Sequence, residues 1–296
     1  MFASAWVGVA FGSVFEVVGI LLVLMGTRMI PIDPASLHGP YWLLTVIGGC
    51  FAAAGLAVQI KSLVQSRRAA LCKRMQRRYP DQPWKWDYPW DPHGFAPSRW
   101  RPVFGRMAST LFIGAFAVPF NWVGFYAQTK VLWPFAIFAG IMDLATMSLL
   151  GYTGYLFLKT LKFGATAVYW SHFPLKLGES CEIQWQAPKV RLDPRGLKAT
   201  LRLVEEYFVV RGSGKHRSRH QVFDCLYETA IEMKCYNTGS GQRRCSMDFT
   251  LPSALPSTHL SADVEGQSPP RYYLLTIGCI QKGIDFREHY LLPLYR

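Results

Sequence analysis

Residues 67–106 read RRAALCKRMQRRYPDQPWKWDYPWDPHGFAPSRWRPVFGR, a polar and basic stretch that lies between two long apolar regions. Half of the 296 residues are hydrophobic, which is unusual for a soluble protein. The apolar residues are concentrated before about Leu161, in runs long enough to cross a bilayer core of about 30 Å. The sequence therefore predicts a membrane protein in which this stretch joins two membrane-embedded regions.

Four apolar segments are predicted to cross the membrane, at residues 6–25, 41–63, 107–127 and 131–158. The second segment is expected to continue as a basic helix in solvent and to end before Pro80, because proline disfavours helical geometry in the residue before it. The predicted domains are a first transmembrane hairpin (1–64), a cytosolic linker (65–106), a second transmembrane hairpin (107–159) and a cytosolic β-domain (160–296).

Basic side chains set the predicted orientation. The linker carries ten of them against three acidic ones, and Lys159 and Lys162 follow the fourth segment. Only Arg28 and Lys130 flank the segments on the opposite side. Loops rich in Lys and Arg stay in the cytoplasm. We therefore expect a multi-pass protein of the bacterial inner (plasma) membrane, with the linker and both termini in the cytoplasm.

The sequence pattern changes near Thr160, where short runs of alternating polarity begin. Ile183, Trp185 and Ala187 alternate with polar residues, and residues 273–279 repeat the pattern. This period is typical of half-buried strands, and glycine-rich turns separate the runs. The predicted fold class is therefore membrane α plus all-β: four transmembrane helices followed by a cytosolic antiparallel β-sandwich-like domain.

The seven cysteines are scattered and form no CxxC pair. They indicate no disulfide framework, and unpaired thiols are expected in a reducing cytosol. Cys225, Cys235, Cys245 and His220 suggest a metal site only weakly, although a turn at residues 237–242 would make Cys235 and Cys245 cross-strand neighbours. Nothing else has zinc-ligand spacing, so neither a metal nor a cofactor is predicted.

Two stretches resemble a group of uncharacterised bacterial multi-pass membrane proteins. Residues 79–94 (YPDQPWKWDYPWDPHG) resemble their linker, with the pattern P-x-x-PW-x-x-D-x-PW-x-x-x-G. Residues 271–295 resemble their closing β-hairpin, which ends in PVY, and residues 251–258 (LPSALPST) resemble its proline-rich entry. This chain departs from the hairpin pattern conservatively, at Tyr273 for Trp, Tyr290 for Phe and Leu294 for Val. The resemblance implies the same architecture and supplies no activity.

Glu16 and Asp143 lie inside predicted spans, where a charged side chain costs about 2.5–3.5 kcal/mol on insertion scales. At a helical rise of about 1.5 Å per residue, both fall near the midplane of the membrane. They are candidates for a shared proton or cation site. The alternative is a structural role, in which each carboxyl is hydrogen-bonded to a polar neighbour: Thr45, Asn121, Thr146 or Ser148.

The linker offers candidates for contact with lipid or with a partner. Each basic residue near an anionic leaflet contributes about 1 kcal/mol of attraction. The arginines in this position are Arg67, Arg68, Arg74, Arg77 and Arg78. The alternative is that they only set the topology, without a specific lipid. Trp84, Trp86 and Trp90 resemble a base-stacking set, but beside two spans a position at the headgroups or against the β-domain is favoured, and nucleic acid is not a predicted partner.

Arg217 and Arg219 belong to a basic tip, residues 211–220, which is predicted to be the main contact surface for another protein. No Ser, Cys or His arrangement supports nucleophilic catalysis, so the chain is not predicted to be an enzyme. The leading hypothesis is a membrane-anchored interaction or scaffold module that contacts membrane lipids, binds a protein and is compatible with a homo-oligomer. The alternative is a small transporter or channel component that uses Glu16 and Asp143.

Overall fold

The computed structural model describes residues 2–33, 40–126, 133–187, 196–211, 218–237, 243–260 and 269–296. The chain divides into two compact units. The first unit comprises Met1–Ala70 and Trp100–Phe157, and the second comprises Leu71–Arg99 and Leu158–Arg296. Most of the predicted linker thus folds with the β-rich part of the chain rather than as a segment of its own.

Four helices are long and apolar enough to cross a membrane, which confirms that part of the predicted architecture. They are α1 (Phe2–Gly26), α2 (Tyr41–Arg78), α3 (Arg101–Asn121) and α4 (Trp133–Phe163). α2 continues through the basic residues as expected. α3 begins at Arg101 rather than at the predicted residue 107, because Pro102 fits the first helical turn, where its missing N–H needs no partner.

α1 and α2 pack closely through glycines in the first unit. A Cβ on Gly55 would lie 2.5 Å from the carbonyl oxygen of Gly12, and a Cβ on Gly48 would lie 2.5 Å from that of Gly19. Gly12 and Gly19 are about two turns apart on α1, and Gly48 and Gly55 are about two turns apart on α2. The two glycines of each helix therefore lie on the same face. Small residues let helix backbones approach in lipid, where apolar burial gives no drive for association.

The second unit contains two antiparallel sheets and a short parallel pair. The strands are β1 (Gly94–Phe95), β2 (Ala167–Trp170), β3 (Leu175–Lys176), β4 (Ser180–Ala187), β5 (Leu197–Arg211), β6 (Ser218–Ile231), β7 (Lys234–Asn237), β8 (Arg243–Thr250), β9 (Arg271–Cys279), β10 (Phe286–Leu292) and β11 (Leu294–Tyr295). One sheet has the order β1-β2-β4-β8-β7, and the other has the order β10-β9-β5-β6. β11 runs parallel to β3.

Alternation along the strands builds one hydrophobic core from both sheets. Ile183 and Trp185 of β4 and Leu275 of β9 are fully buried, as the period of two predicts. The indole N–H of Trp185 donates to the Tyr290 hydroxyl at 2.9 Å, and Tyr290 donates to Thr166. Burial raises the pKa of Tyr290, so its hydroxyl remains protonated inside the core.

One disulfide corrects the expectation of unpaired cysteines. Cys235 of β7 and Cys245 of β8 are opposite in register and are joined, with their Cα atoms 4.0 Å apart. Cys181 is buried and free, and burial raises the pKa of its thiol to about 11, which makes it unreactive. The cross-strand position of the two cysteines agrees with a turn at residues 237–242, but the bond between them was not predicted.

We expect Gly48→Ala to destabilise the first unit by about 1–3 kcal/mol, because the added methyl group would overlap the carbonyl oxygen of Gly19. Gly49→Ala is the matched control, since no atom lies within 4 Å of its added Cβ and the residue gains helix propensity. Thermal unfolding of both full-length variants in the same mild detergent measures the difference. A Gly48→Ala midpoint equal to that of Gly49→Ala would contradict the close packing of α1 and α2.

Candidate functional site

The linker motif is held in the second unit by a buried carboxylate. Asp87 is 5% exposed, and its Oδ1 accepts the backbone N–H of Leu260 at 2.7 Å. Its Oδ2 accepts the hydroxyl hydrogen of Tyr295 at 3.2 Å, across 208 residues of chain. A buried charge is costly unless it is hydrogen-bonded, so these two donors compensate for the burial of Asp87.

Tyr295 is at the centre of this arrangement. Its hydroxyl accepts the indole N–H of Trp90 at 2.9 Å, and the Trp84 ring meets its ring edge-on with centroids 5.9 Å apart. Burial, followed by the neighbouring Asp87 carboxylate, raises the pKa of Tyr295, which keeps its hydroxyl able to donate. We call Trp84, Asp87, Trp90 and Tyr295 the linker–tail cluster.

The linker also adds a strand to the first sheet. Gly94 and Phe95 form β1, which pairs antiparallel with Tyr169 and Val168 of β2. Gly94 tolerates no side chain, because a Cβ there would overlap the carbonyl oxygen of Val168. The indole N–H of Trp170 donates to the Pro92 carbonyl at 2.8 Å. The linker is therefore an ordered component of the sheet unit rather than a tether.

The three stretches that carry the family resemblance meet in this unit. In residues 251–258, the N–H of Thr258 donates to the Leu294 carbonyl at 2.8 Å. The hydroxyl of Tyr273 donates to the Pro256 carbonyl at 2.9 Å, and burial raises the pKa of Tyr273 to about 12. In this chain, residues of the three stretches are joined by packing and hydrogen bonding.

The predicted contact residues of the linker separate into two groups. Five arginines are exposed along the last part of α2: Arg67, Arg68, Arg74, Arg77 and Arg78. The tryptophans are half-buried instead, because Trp84 and Trp90 belong to the linker–tail cluster and Trp86 donates to the Tyr79 carbonyl at 3.0 Å. Trp84 and Trp90 therefore pack within the β-rich unit, against Tyr295, which is one of the two favoured positions.

The predicted basic tip lies largely outside the described residues. Arg217 is one of the residues that are not described. Arg219 pairs through its backbone with Val210 in the β5–β6 ladder, and its side chain is not described. The role of both arginines in partner contact stays a prediction.

Glu16 and Asp143 each have an amide partner on a neighbouring helix. Glu16 of α1 accepts a hydrogen bond from Gln59 of α2 at 2.6 Å. Asp143 of α4 accepts a hydrogen bond from Asn121 of α3 at 2.8 Å. Asn121 is one of the polar neighbours predicted for a purely structural role of the carboxyls. Both carboxylates are half-buried. Each carboxylate therefore has its own local partner, Gln59 for Glu16 and Asn121 for Asp143.

The described residues contain no group of three or more His, Cys, Asp or Glu side chains arranged to hold a metal ion. Cys235 and Cys245, two of the weak metal candidates, are consumed by the disulfide. Cys225 is exposed on β6, and the backbone of His220 lies further along the same strand.

The outer edge of β6 is a long open strand edge of the second unit. β6 is the terminal strand of its sheet, with β5 as its only strand neighbour in the described part of the chain. It has 14 residues, against about 5–6 in an average strand. Phe223 is 58% and Leu226 is 49% exposed. The sequence does not single out β6, because this strand lacks the polarity alternation that marks half-buried strands.

We expect Asp87→Ala to destabilise the second unit by about 1–3 kcal/mol, because the Leu260 N–H and the Tyr295 hydroxyl would both lose their acceptor inside the protein. Asp81→Ala is the matched control, because Asp81 is an exposed acidic residue of the same linker. Urea unfolding of the full-length variants, followed by near-ultraviolet circular dichroism, measures the effect. An equal effect of the two substitutions would show that the linker–tail cluster does not hold the linker.

No protein-family model matches the chain, and no curated protein matches it. Among solved structures, the chain is similar to the crystal structure of Spo0M, a sporulation control protein from Bacillus subtilis, at 15% sequence identity and a TM-score of 0.29. The match covers 44% of this chain and 49% of the Spo0M chain, so this chain spans about half the length of Spo0M. A similarity at this TM-score carries no argument about fold or activity.

Proposed function

We propose that the protein is a membrane-anchored interaction module that binds an extended segment of another protein along β6. In this proposal, the four helices anchor the chain in the bacterial inner membrane. The two-sheet unit acts in the cytosol as a β-sandwich, and both termini are cytoplasmic. The observation that carries the proposal is the long, open edge of β6, because an unpaired strand edge is a ready site for strand addition.

The composition of β6 favours pairing. Edge strands are usually protected by charged side chains (lysine above all), by proline, by bulges or by short length. β6 reads SRHQVFDCLYETAI, which contains neither lysine nor proline. One irregularity in the β5–β6 register leaves Leu226 without a cross-strand partner, and the ladder is regular from Cys225 to Ser218. An added strand would therefore meet a straight stretch of backbone donors and acceptors.

The polar side chains of this hairpin are engaged within it. Tyr207 donates to Asp224 at 2.7 Å, and that hydrogen bond raises the pKa of Tyr207. Arg202 pairs with Glu228 at 2.9 Å. Phe223 lies opposite Glu206 in register and remains exposed. Phe223 and Leu226 thus offer apolar contacts to a partner.

The outer part of the hairpin also lacks support from the rest of its sheet. β9 pairs with β5 only as far as Glu205. Beyond that residue, β5 is paired with β6 alone, up to Arg211 opposite Ser218. A two-stranded ribbon is marginally stable in water, and a third strand would stabilise it. This gives the ribbon a physical reason to take up a partner strand.

Two observations bear on the compartment in opposite directions. The excess of Lys and Arg in the linker favours the cytosol. The disulfide between Cys235 and Cys245 is more typical of an oxidising compartment. We give more weight to the basic residues, because the strand register alone places the two sulfurs together whatever the compartment.

A transport role for Glu16 and Asp143 is not favoured by the geometry. Each carboxylate is hydrogen-bonded to a neutral amide within its own helix pair, Glu16 to Gln59 and Asp143 to Asn121. Such local bonds satisfy a polar group inside a helix bundle without any transported species. The proposal therefore assigns them to helix packing.

A photoreactive phenylalanine analogue at position 223 of the full-length protein, irradiated in intact cells, is expected to form an adduct with a different protein. Phe223 is exposed on the open edge, so a bound strand would lie against it. The same analogue at Tyr236 is the matched control, because Tyr236 is 48% exposed on β7, which has only four residues. Adducts are detected as mass shifts on denaturing gels and identified by mass spectrometry.

The proposal fails if position 223 gives no more adduct than position 236. It also fails if the adduct has twice the mass of the chain, because that result would assign the edge to a second copy. Introducing a charge with Leu226→Lys should reduce the adduct at 223 several-fold, since charged side chains block strand edges.

A further inference from the structure

The turn between β9 and β10, residues 280–285, presents an apolar side chain to solvent from an ordered backbone. Ile280 is 88% exposed, and no other described large hydrophobic side chain is more exposed. The carboxylate of Asp285 accepts the backbone N–H of Gln281 at 2.9 Å, which closes the turn. Gly283 supplies the positive φ of 89° that the turn requires. The exposure of Ile280 is therefore fixed by the turn and does not arise from a loose loop.

This turn is bonded directly to the end of α4 within the second unit. The ammonium group of Lys162 donates to the carbonyls of Ile284 at 2.8 Å and Lys282 at 3.3 Å. Phe163, the last residue of α4, packs on Phe286 with ring centroids 5.2 Å apart. Whatever surrounds the end of α4 therefore also lies next to the turn.

A second lysine attaches the same helix end to β10. Lys159 donates to the Arg287 carbonyl at 2.8 Å and forms an ion pair with Glu288 at 3.1 Å. Around the turn, the cations are Lys159, Lys162, Lys282 and Arg287, and the anions are Asp285 and Glu288. The surface next to the end of α4 therefore has an excess of positive charge.

The apolar span of α4 is longer than the hydrocarbon core of a bilayer. This span, Pro134–Phe163, has 30 residues. At about 1.5 Å per residue this helix is about 45 Å long, more than the hydrocarbon core of about 30 Å. A helix of this length leaves at least one end among the lipid headgroups, and Lys159 and Lys162 favour the carboxyl end. An apolar side chain flanked by cations is stabilised there by contact with lipid acyl chains and with lipid phosphates.

We propose that the β9–β10 turn is a membrane contact, in which Ile280 enters the interfacial region of the bilayer and the flanking cations face anionic phospholipid headgroups. Two observations point to lipid as the bound partner. The turn is hydrogen-bonded to the end of the apolar helix α4, and the turn is surrounded by an excess of positive charge. This inference rests on the membrane location in the proposed function and not on the partner of β6.

Lipid photo-crosslinking tests the proposal in the full-length protein. A diazirine amino acid replaces Ile280, and the variant is reconstituted into vesicles of phosphatidylethanolamine and phosphatidylglycerol. The positive control carries the probe at Leu150, which is 62% exposed in the middle of α4, and the negative control carries it at Tyr236 on β7. Mass spectrometry after irradiation detects protein that has gained the mass of one phospholipid.

We expect lipid adducts at positions 280 and 150 and none above background at 236. Adducts at 150 but not at 280 would overturn the membrane contact and leave the membrane location intact. The absence of adducts at both positions would instead contradict the membrane location itself, so the two failures are distinguishable. Adducts of equal yield at 236 and 280 would show random encounter and would also overturn the proposal.

The headgroup preference has its own test. Replacing phosphatidylglycerol with phosphatidylcholine should lower the adduct yield at position 280 several-fold and leave that at 150 unchanged, because only the turn is expected to sense anionic lipid. Lys282→Gln should remove part of this preference, whereas Lys234→Gln, an exposed lysine on β7, should not. An unchanged yield at 280 in phosphatidylcholine would overturn the role of the cations.

Discussion

The hydrogen bond from the Tyr295 hydroxyl to the Asp87 carboxylate is the contact on which the organisation of the chain depends. It joins the linker to the carboxyl-terminal strand across 208 residues, and Trp90 donates to the same hydroxyl. Groups in direct contact must lie on one side of a membrane. In the proposed topology the segment between them therefore crosses the membrane an even number of times, a condition that α3 and α4 satisfy as a pair. This constraint is independent of the count of basic residues. Like that count, it puts the linker and the carboxyl-terminal strand on the same side of the membrane.

The two units obtain their stability from different physics. α1 and α2 associate through close backbone approach at Gly12, Gly19, Gly48 and Gly55. Apolar surface alone does not drive helices together in lipid, so small residues and local hydrogen bonds, such as that between Gln59 and Glu16, take that role. The second unit buries aromatic and aliphatic side chains between two sheets and satisfies each buried phenol with a partner. Apolar side chains remain exposed at two places in this unit, the open edge of β6 and the β9–β10 turn, and the proposed partner and lipid contacts lie there.

Much of the fold could be predicted from short-range patterns. The four apolar helices follow from run length, and the buried positions of β4 and β9 follow from a period of two, as at Ile183 and Leu275. Contacts between distant parts of the chain could not be predicted in this way. The burial of Asp87 against Tyr295 and the edge position of β6 both depend on how distant segments are arranged, which composition does not encode. Asp87 is the aspartate of the PW-x-x-D-x-PW pattern, which was the one sequence signal for it. Its net charge alone does not predict its burial.

The most direct test of this account is the membrane topology of the linker and the tail. Fusions of a fluorescent reporter that folds only in the cytosol, and of a phosphatase that is active only outside it, are placed after Asp81 and after Arg296. The account predicts fluorescence without phosphatase activity at both positions, and phosphatase activity for a fusion after Gly39. Opposite compartments for positions 81 and 296 would be incompatible with the bond between Asp87 and Tyr295 and would contradict the account. Phosphatase activity at both would contradict the cytosolic location.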